Sequence, residues 1–426
     1  MKKILGLLML LVSLQMFSGT TNVNVQEKKE VDSMKYNLLI ISVLLLILFS
    51  SCASTGSSEG QFEVPSIKVA LNNTQTLRLS DCFEEVSYIP LETSDDFLLG
   101  YIGKMLIEGN SIYFLSSKSV YSFDLNSGKG KMNLSKLGNG PGEYKSLFDF
   151  IIDKNAGNIE LLDNNDKKIF VYDLKGNFQN SLSLPFMPFA FFKKTSSLYS
   201  FYNNNLKSEI SSSKIVDYDV ELQNKCNEYF PIDEKMAEYF FLGDEKVFNQ
   251  SSKGFYCHIS PIDTIYKYDE EKGFVPSFHF DFKDNAAPSA FYEKRYRDIM
   301  EFSEAANKNG YIYALSNFAV NGDDDVIFSY RLGKTFYWTL RLGMKSECTI
   351  NALIDDFHFS EALPLSYQNS SYWLDDDYLY FLMTGEQFIH LCENGVKNDA
   401  MMALLRNADI TDQSNPIVVK CKLKKN

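Results

Sequence analysis

The chain has 426 residues, 45% of them hydrophobic, with 34 phenylalanines and 25 tyrosines; that is enough apolar chain for a sizeable core and excludes a disordered protein. Ala-rich and Glu/Lys-rich stretches are few, and aromatic residues pack well on half-buried strands, so the composition points to an all-β fold. A formal charge of −13 without any Lys/Arg cluster excludes a nucleic-acid partner, because affinity for a phosphate backbone needs clustered cations.

Two apolar runs, Ile4 to Phe17 and Leu38 to Phe49, open the chain. Both are shorter than a membrane-spanning helix and have the length of a signal-peptide core. Each follows a basic start, Met1-Lys2-Lys3 in one case and Met34-Lys35 in the other. Two signals in series make little mechanical sense, so residues 1–33 are expected to be an over-extended N-terminus and residues 34–51 a signal peptide. The second run ends Leu48-Phe49-Ser50-Ser51-Cys52, which resembles the lipobox of bacterial lipoproteins. That resemblance implies cleavage before Cys52 and lipidation of its thiol. Residues 53–60 are small and polar, a tether that cannot pack, and 52–83 are expected to serve as flexible tether and lead-in to a propeller over 84–425. Ala53 after the cysteine resembles the pattern of outer-membrane sorting, on either the periplasmic or the surface face. Gly56, Ser58 and Gly60 match the spacing of a hydrolase nucleophile elbow by chance, since no strand-turn-helix surrounds them.

The body repeats. Tyr121–Leu125 (YSFDL), Val171–Leu174 (VYDL), Val216–Val220 (VDYDV) and Ile265–Asp269 (IYKYD) align on Asp124, Asp173, Asp219 and Asp269, spaced 49, 46 and 50 residues apart. Each alternates apolar and polar residues, follows another alternating run (Ser111–Leu115, Asn158–Leu162, Gly254–Ile259) and in most copies precedes a turn such as Asn126-Ser127-Gly128. That is hairpin grammar. Three or four short strands per repeat describe a β-propeller blade, with the aspartates closing turns through backbone N–H groups.

After the fourth repeat, residues 284–309 are expected to form a helical insertion, with Ser289 as cap, Tyr292, Tyr296, Ile299 and Met300 on one face, and Asn309-Gly310 as its end. Strands are expected at Tyr311–Leu315, Val326–Tyr330, Thr335–Thr339, Ser371–Leu374, Tyr378–Leu382 and Pro416–Cys421, with a short helix at Ala400–Arg406. Four regular units and two irregular ones give a six-bladed β-propeller, seven being the alternative count. Val86–Leu91 is left to close the ring against the C-terminal strands.

Ser87–Thr93 (SYIPLET), Gly138–Tyr144 (GNGPGEY) and Asp263–Tyr266 (DTIY), in that order behind a lipobox, resemble the six-bladed β-propeller lipoproteins of Gram-negative bacteria related to NHL-repeat proteins. The resemblance covers about residues 84–425 and implies an exported, lipid-anchored propeller without implying an activity.

Candidate chemistry is thin. Gly138–Tyr144 lacks the lysine and following helix of a phosphate loop and is expected to be an inter-blade turn whose glycines supply positive φ. Asp163–Asp166, Asp323–Asp325 and Asp375–Asp377 are acidic turns of the kind that bind calcium, but the first breaks calcium-loop spacing at Lys167 and Lys168, and all three are expected to be solvated hairpin tips. His258, His279, His358 and His390 are too scattered for a metal motif; His279 and His358 each sit between phenylalanines, on the more polar face of a strand. Trp338 and Trp373 are candidates for a carbohydrate platform but more simply for core. Cysteines 52, 82, 226, 257, 348, 392 and 421 show no C-x-x-C pair; no pairing follows, and buried hydrophobic roles fit best.

No catalytic, cofactor or metal set is assigned, and Cys52 is the one residue given a role. The expected partners are a lipid anchor in the membrane and a protein, peptide or glycan presented to a propeller face. The expected function is therefore a membrane-tethered, non-catalytic binding or scaffolding lipoprotein of the cell envelope. The alternative is a propeller-channel enzyme, a lyase or hydrolase, with a metal held by His or Asp from several blades.

Overall fold

The recurring aspartates mark a recurring hairpin. In each of the first four units the aspartate ends a strand, and its Oδ1 accepts two backbone N–H groups from the turn: Asn126 and Ser127 on Asp124, Lys175 and Asn177 on Asp173, Glu221 and Leu222 on Asp219, Glu271 and Lys272 on Asp269. Those bonds hold all four carboxyls below the usual aspartate range. The computed structural model describes residues 64–425 apart from 236, 238–245, 262 and 343–346. The expected segments 1–33 and 34–51, Cys52 and the Gly56–Gly60 stretch lie outside the described residues.

Six antiparallel sheets form the blades of a β-propeller. From the inside outwards, blade 1 is Ile102–Glu108, Ser111–Ser116, Ser119–Asp124 and Gly130–Leu134; blade 2 is Asp149–Asp153, Asn158–Asp163, Lys168–Asp173 and Phe178–Ser183. Blade 3 is Ala190–Lys193, Leu198–Tyr202, Ser213–Asp219 and Asn224–Pro231; blade 4 is Phe248–Ser251, Gly254–His258, Thr264–Asp269 and Gly273–Asp281. Blade 5 is Asn317–Asn321, Asp325–Leu332, Thr335–Arg341 and Cys348–Ile354, and blade 6 is Tyr372–Leu374, Tyr378–Met383, Ile417–Leu423 and Phe83–Pro90.

The last blade thus takes its outer strand from the N-terminal end of the propeller, with Tyr88 opposite Val419. This closes the ring as the sequence implies. Residues 64–83, assigned from sequence to tether and lead-in, carry two more strands. Ser66–Lys68 runs parallel to the outer strand of blade 4, and Gln75–Arg78 parallel to that of blade 5. One arm therefore covers the outer edges of two consecutive blades, where unpaired N–H and C=O groups would otherwise invite association, and runs on as the outer strand of blade 6.

Between blades the core is aromatic. Trp338 is 1% exposed and meets Tyr372 and Phe381 of blade 6 edge-on at 5.5 Å. Polar side chains stitch the inner ring. Asp149 of blade 2 accepts from Lys104 of blade 1 and from the backbone of Phe191 in blade 3. Asn249 of blade 4 accepts from Val320 of blade 5, whose Asn317 donates to Ser370 and Tyr372 at blade 6.

Several expectations need correction. The 284–309 helix is two helices, Ser289–Glu293 and Ile299–Asn309, because Asp298 turns extended and caps the second through the N–H of Glu301. Ser289 makes no cap, the buried face is Phe291, Tyr296, Phe302 and Ala306, and Met300 is 68% exposed; Gly310 ends the second helix at φ 71° as expected. Tyr311–Leu315 is not a strand: it makes one bridge, Ile312 to Ala286, and the inner strand begins at Asn317. A helix at Gly385–Gly395 was missed, although Thr384 and Gln387 form the capping box that announces it.

Candidate functional site

The first hairpins of the six blades are short turns that share one end of the ring, and the channel opens there into a cup of about 840 Å³. Inner strands and first hairpins of blades 1, 2, 3, 4 and 6 line it. Its volume is that of a small-molecule site, roughly 300–1,000 Å³. Lys104 and Lys246 lie at its floor, where both also line a smaller cavity of about 30 Å³ behind them.

Charge is paired almost throughout the cup. Lys104 reaches Asp149 at 2.6 Å and the carbonyl of Phe150 at 2.9 Å. Lys193 bridges Asp153 at 2.7 Å and Glu160 at 2.6 Å; burial pulls its amine down, but those two carboxylates overcome it and hold it above the usual lysine range. Lys194 spans both oxygens of Asp217 and lies 3.6 Å from the Tyr268 ring centre. Burial pushes the Asp149 carboxyl up against the charge of Lys104 and two backbone donors. Lys246 differs: its Nζ is buried and has no hydrogen-bond partner among the described residues. Burial first, and then the charge of Lys104, lower it to about 7.

The walls are apolar and aromatic, with Trp373, Phe192, Phe248 and Tyr380, and the rim is polar, with Asn155, Ser252, Asp375 and Asp376. Of the two tryptophan candidates, Trp338 is core whereas Trp373 is half-buried in the cup wall. Lys104 and Lys246 escaped the sequence reading. Their one local signal is a cation beside apolar residues, inside the strand in GKMLI around Lys104 and just before it in KVF from Lys246.

The other candidates are structural. His279 sits on the polar face of its strand, 3.6 Å from Asp263. His358 is in a turn rather than a strand, correcting the alternation argument, and shares Asp355 Oδ2 with Tyr88 at 2.7 and 2.6 Å. His258 packs between Phe280 and Phe318, and His390 faces Glu361 at 3.2 Å. None of the four lines the cup, and among the described residues no group of His, Cys, Asp and Glu is placed to hold a metal ion.

Asp163 is a buried anchor, not a solvated tip. It accepts from Lys145 N, Ser146 N, Ser146 Oγ and Asp166 N. Asp323 is exposed as expected, and Asp375 and Asp376 stand on the cup rim. Gly138–Tyr144 is the inter-blade turn expected, but only Gly142 of its glycines has positive φ, at 74°. At Gly138 a Cβ would meet the Glu143 carboxylate, with Oε2 at 1.9 Å, and that side chain would have to swing away. Among the described residues no disulfide forms, and of cysteines 82, 226, 257, 348, 392 and 421 four, 82, 257, 392 and 421, are buried.

The sequence model of the domain family DUF4934, described as a domain of unknown function, matches residues 62–422. Curated proteins give no match. Among solved structures, a protein of Bacteroides fragilis provisionally described as exported aligns with TM-score 0.68 at 19% identity, over 84% of this chain and 99% of its own. A DUF4221 family member from Bacteroides vulgatus aligns at TM-score 0.49 and 11% identity, over 81% and 98%. Virginiamycin B lyase from Staphylococcus aureus aligns at 0.40 and 11%, over 79% and 99%. At these identities the likeness is one of fold.

Proposed function

The chain belongs to the DUF4934 family, and on that premise we propose that it is an exported, lipid-anchored binding or scaffolding protein of the cell envelope whose ligand site is the channel-mouth cup. The observation that carries this reading is the cup itself: about 840 Å³, aromatic-walled and polar-rimmed, with its strand cations already neutralised by carboxylates. Such a site is organised to hold a ligand. The channel-enzyme alternative, with a metal held by His or Asp from several blades, is not favoured: no histidine lines the cup, and among the described residues its aspartates are not grouped to hold a metal ion.

Export and anchoring are supported by the lipobox-like run ending at Cys52 and agree with the exported neighbour from Bacteroides fragilis. Among the described residues no helix is long and apolar enough to cross a membrane, so a lipid on Cys52 would supply the attachment. The NHL-like kinship and the outer-membrane destination belong to the same proposal. Growth with a clickable palmitate analogue is expected to label the chain and to leave Cys52→Ser unlabelled; equal labelling refutes the anchor.

The cup is tested by screening peptides and neutral and acidic glycans against the full chain in detergent. At a ligand concentration of about 100 Kd, binding adds about 2.7 kcal/mol to stability. The resulting rise in Tm is expected to vanish in Trp373→Ala. A rise that persists in that variant places the ligand elsewhere and refutes the reading.

A further inference from the structure

Lys246 is the cup's buried amine without a hydrogen-bond partner among the described residues. Its Nζ is enclosed, 5.4 Å from the Trp373 ring centre and 6.0 Å from that of Tyr372. Among the described residues the charge that acts on it is that of Lys104 on blade 1; the carboxylates lining the cup are Glu108, Asp153, Asp375 and Asp376, and Tyr367 and Tyr372 line the smaller cavity. The cup's Lys104, Lys193 and Lys194 already hold carboxylates of their own: Asp149, Asp153 with Glu160, and Asp217. Asp375 is occupied by the N–H groups of Asp377 and Tyr378. An enclosed ammonium without a counter-charge is costly, by several kcal/mol. An arriving anion relieves that cost.

The surroundings define the anion. One amine is unpaired and no arginine is among the lining residues, so the forked donors that favour phosphate or sulfate are missing and a single negative charge fits best. Trp373, Phe192 and Phe248 supply flat apolar wall above the floor. We infer that Lys246 receives the carboxylate of a ligand whose adjoining group is aromatic or branched apolar and lodges against Trp373 and Phe192. The same chemistry is carried by a free small acid and by the C-terminal residue of a peptide. The inference rests on the cup being the ligand site.

Calorimetry on the full chain in detergent near pH 8 tests it with N-acetyl-phenylalanine, its uncharged amide, and a tetrapeptide ending in phenylalanine with a free carboxylate. The acid is expected to bind about tenfold or more tighter than the amide and to draw up to one proton onto the amine, read as a dependence of the heat on buffer ionisation enthalpy. Lys246→Met keeps the side-chain stem and is expected to fold and to lose the preference. A peptide that binds tighter than the free acid identifies a C-terminus as the source, and equal binding identifies the small acid. Equal affinity for acid and amide, or a preference that survives in Lys246→Met, overturns the inference. If both then fail to bind Trp373→Ala, the cup reading still stands; if Trp373→Ala binds the acid as wild type does, the cup reading falls too. Binding of none of the three overturns the inference and leaves the cup to the wider ligand screen.

Discussion

Replacing Lys246 by methionine should stabilise the free protein, and the gain should depend on pH in a calculable way. The folded-state amine is lowered from 10.5 to about 7 by burial and by Lys104, whereas in the unfolded chain it returns to its ordinary value. Between those values the unfolded state binds more protons, so wild-type stability rises with pH across the window. Below about pH 7 both states are protonated and the penalty is complete; above 10.5 both are neutral and it is gone. A shift of this size corresponds to about 5 kcal/mol at 1.36 kcal/mol per unit, an upper limit because relaxation and water entry reduce it. Urea unfolding of wild type and Lys246→Met from pH 6 to 10 measures the difference directly, and tyrosines that titrate near pH 10 cancel in it. The methionine variant is expected to be more stable by about 2–5 kcal/mol at pH 6, with the gap closing towards pH 10. A gap independent of pH, or a methionine variant less stable at pH 6, refutes the description of Lys246 as an enclosed amine without a counter-charge.

The two tryptophans should part company: Trp338→Ala, between Tyr372 and Phe381, is expected to cost about 3–5 kcal/mol, and Trp373→Ala in the cup wall much less, so equal losses in urea melts would contradict their placement. In native thiol titration Cys226, which is exposed, should react fast. The others should wait for unfolding, because burial pushes Cys82 up to about 12 and Cys348 and Cys392 up to about 11, with Cys257 and Cys421 also raised; several fast thiols would refute this. Since the turn bonds lower Asp124, Asp173, Asp219 and Asp269 below 3.8, their contribution is present above that value and is lost as pH falls through the folded values. Changing all four to asparagine should flatten the acid limb of the stability curve, and an unchanged limb would deny them the hairpin role.

Four blades were legible because an Asx turn needs a side-chain oxygen at a fixed place, and that requirement leaves Asp124, Asp173, Asp219 and Asp269 as a printed period. The period stops for physical reasons. In blade 5 the third strand ends at Arg341 without an aspartate, and in blade 6 the third and fourth strands are Ile417–Leu423 and Phe83–Pro90, from opposite ends of the propeller, so no hairpin joins them. The split helix was hidden because Asp298 serves equally as an exposed helical residue and as a new cap. The site was far less legible. Lys104, Lys193, Lys246 and Trp373 are separated by scores of residues and meet only through radial packing, which local periodicity does not encode. A cation in or beside apolar strand is the whole local trace of the lysines, and an inward-facing lysine reads no differently from an outward-facing one until the ring closes. The acidic runs misled in the same way: Asp163 resembles a loop residue but is buried by Ser146 and Lys145 from the neighbouring inter-blade segment.

Capture of the full chain from native envelopes, alongside a Lys246→Met/Trp373→Ala double variant at equal yield, bears most directly on the cup as the binding site. Mass spectrometry of the copurified peptides, glycans and small acids is expected to find at least one species enriched on wild type and lost from the double variant. Identical sets on both proteins would contradict it.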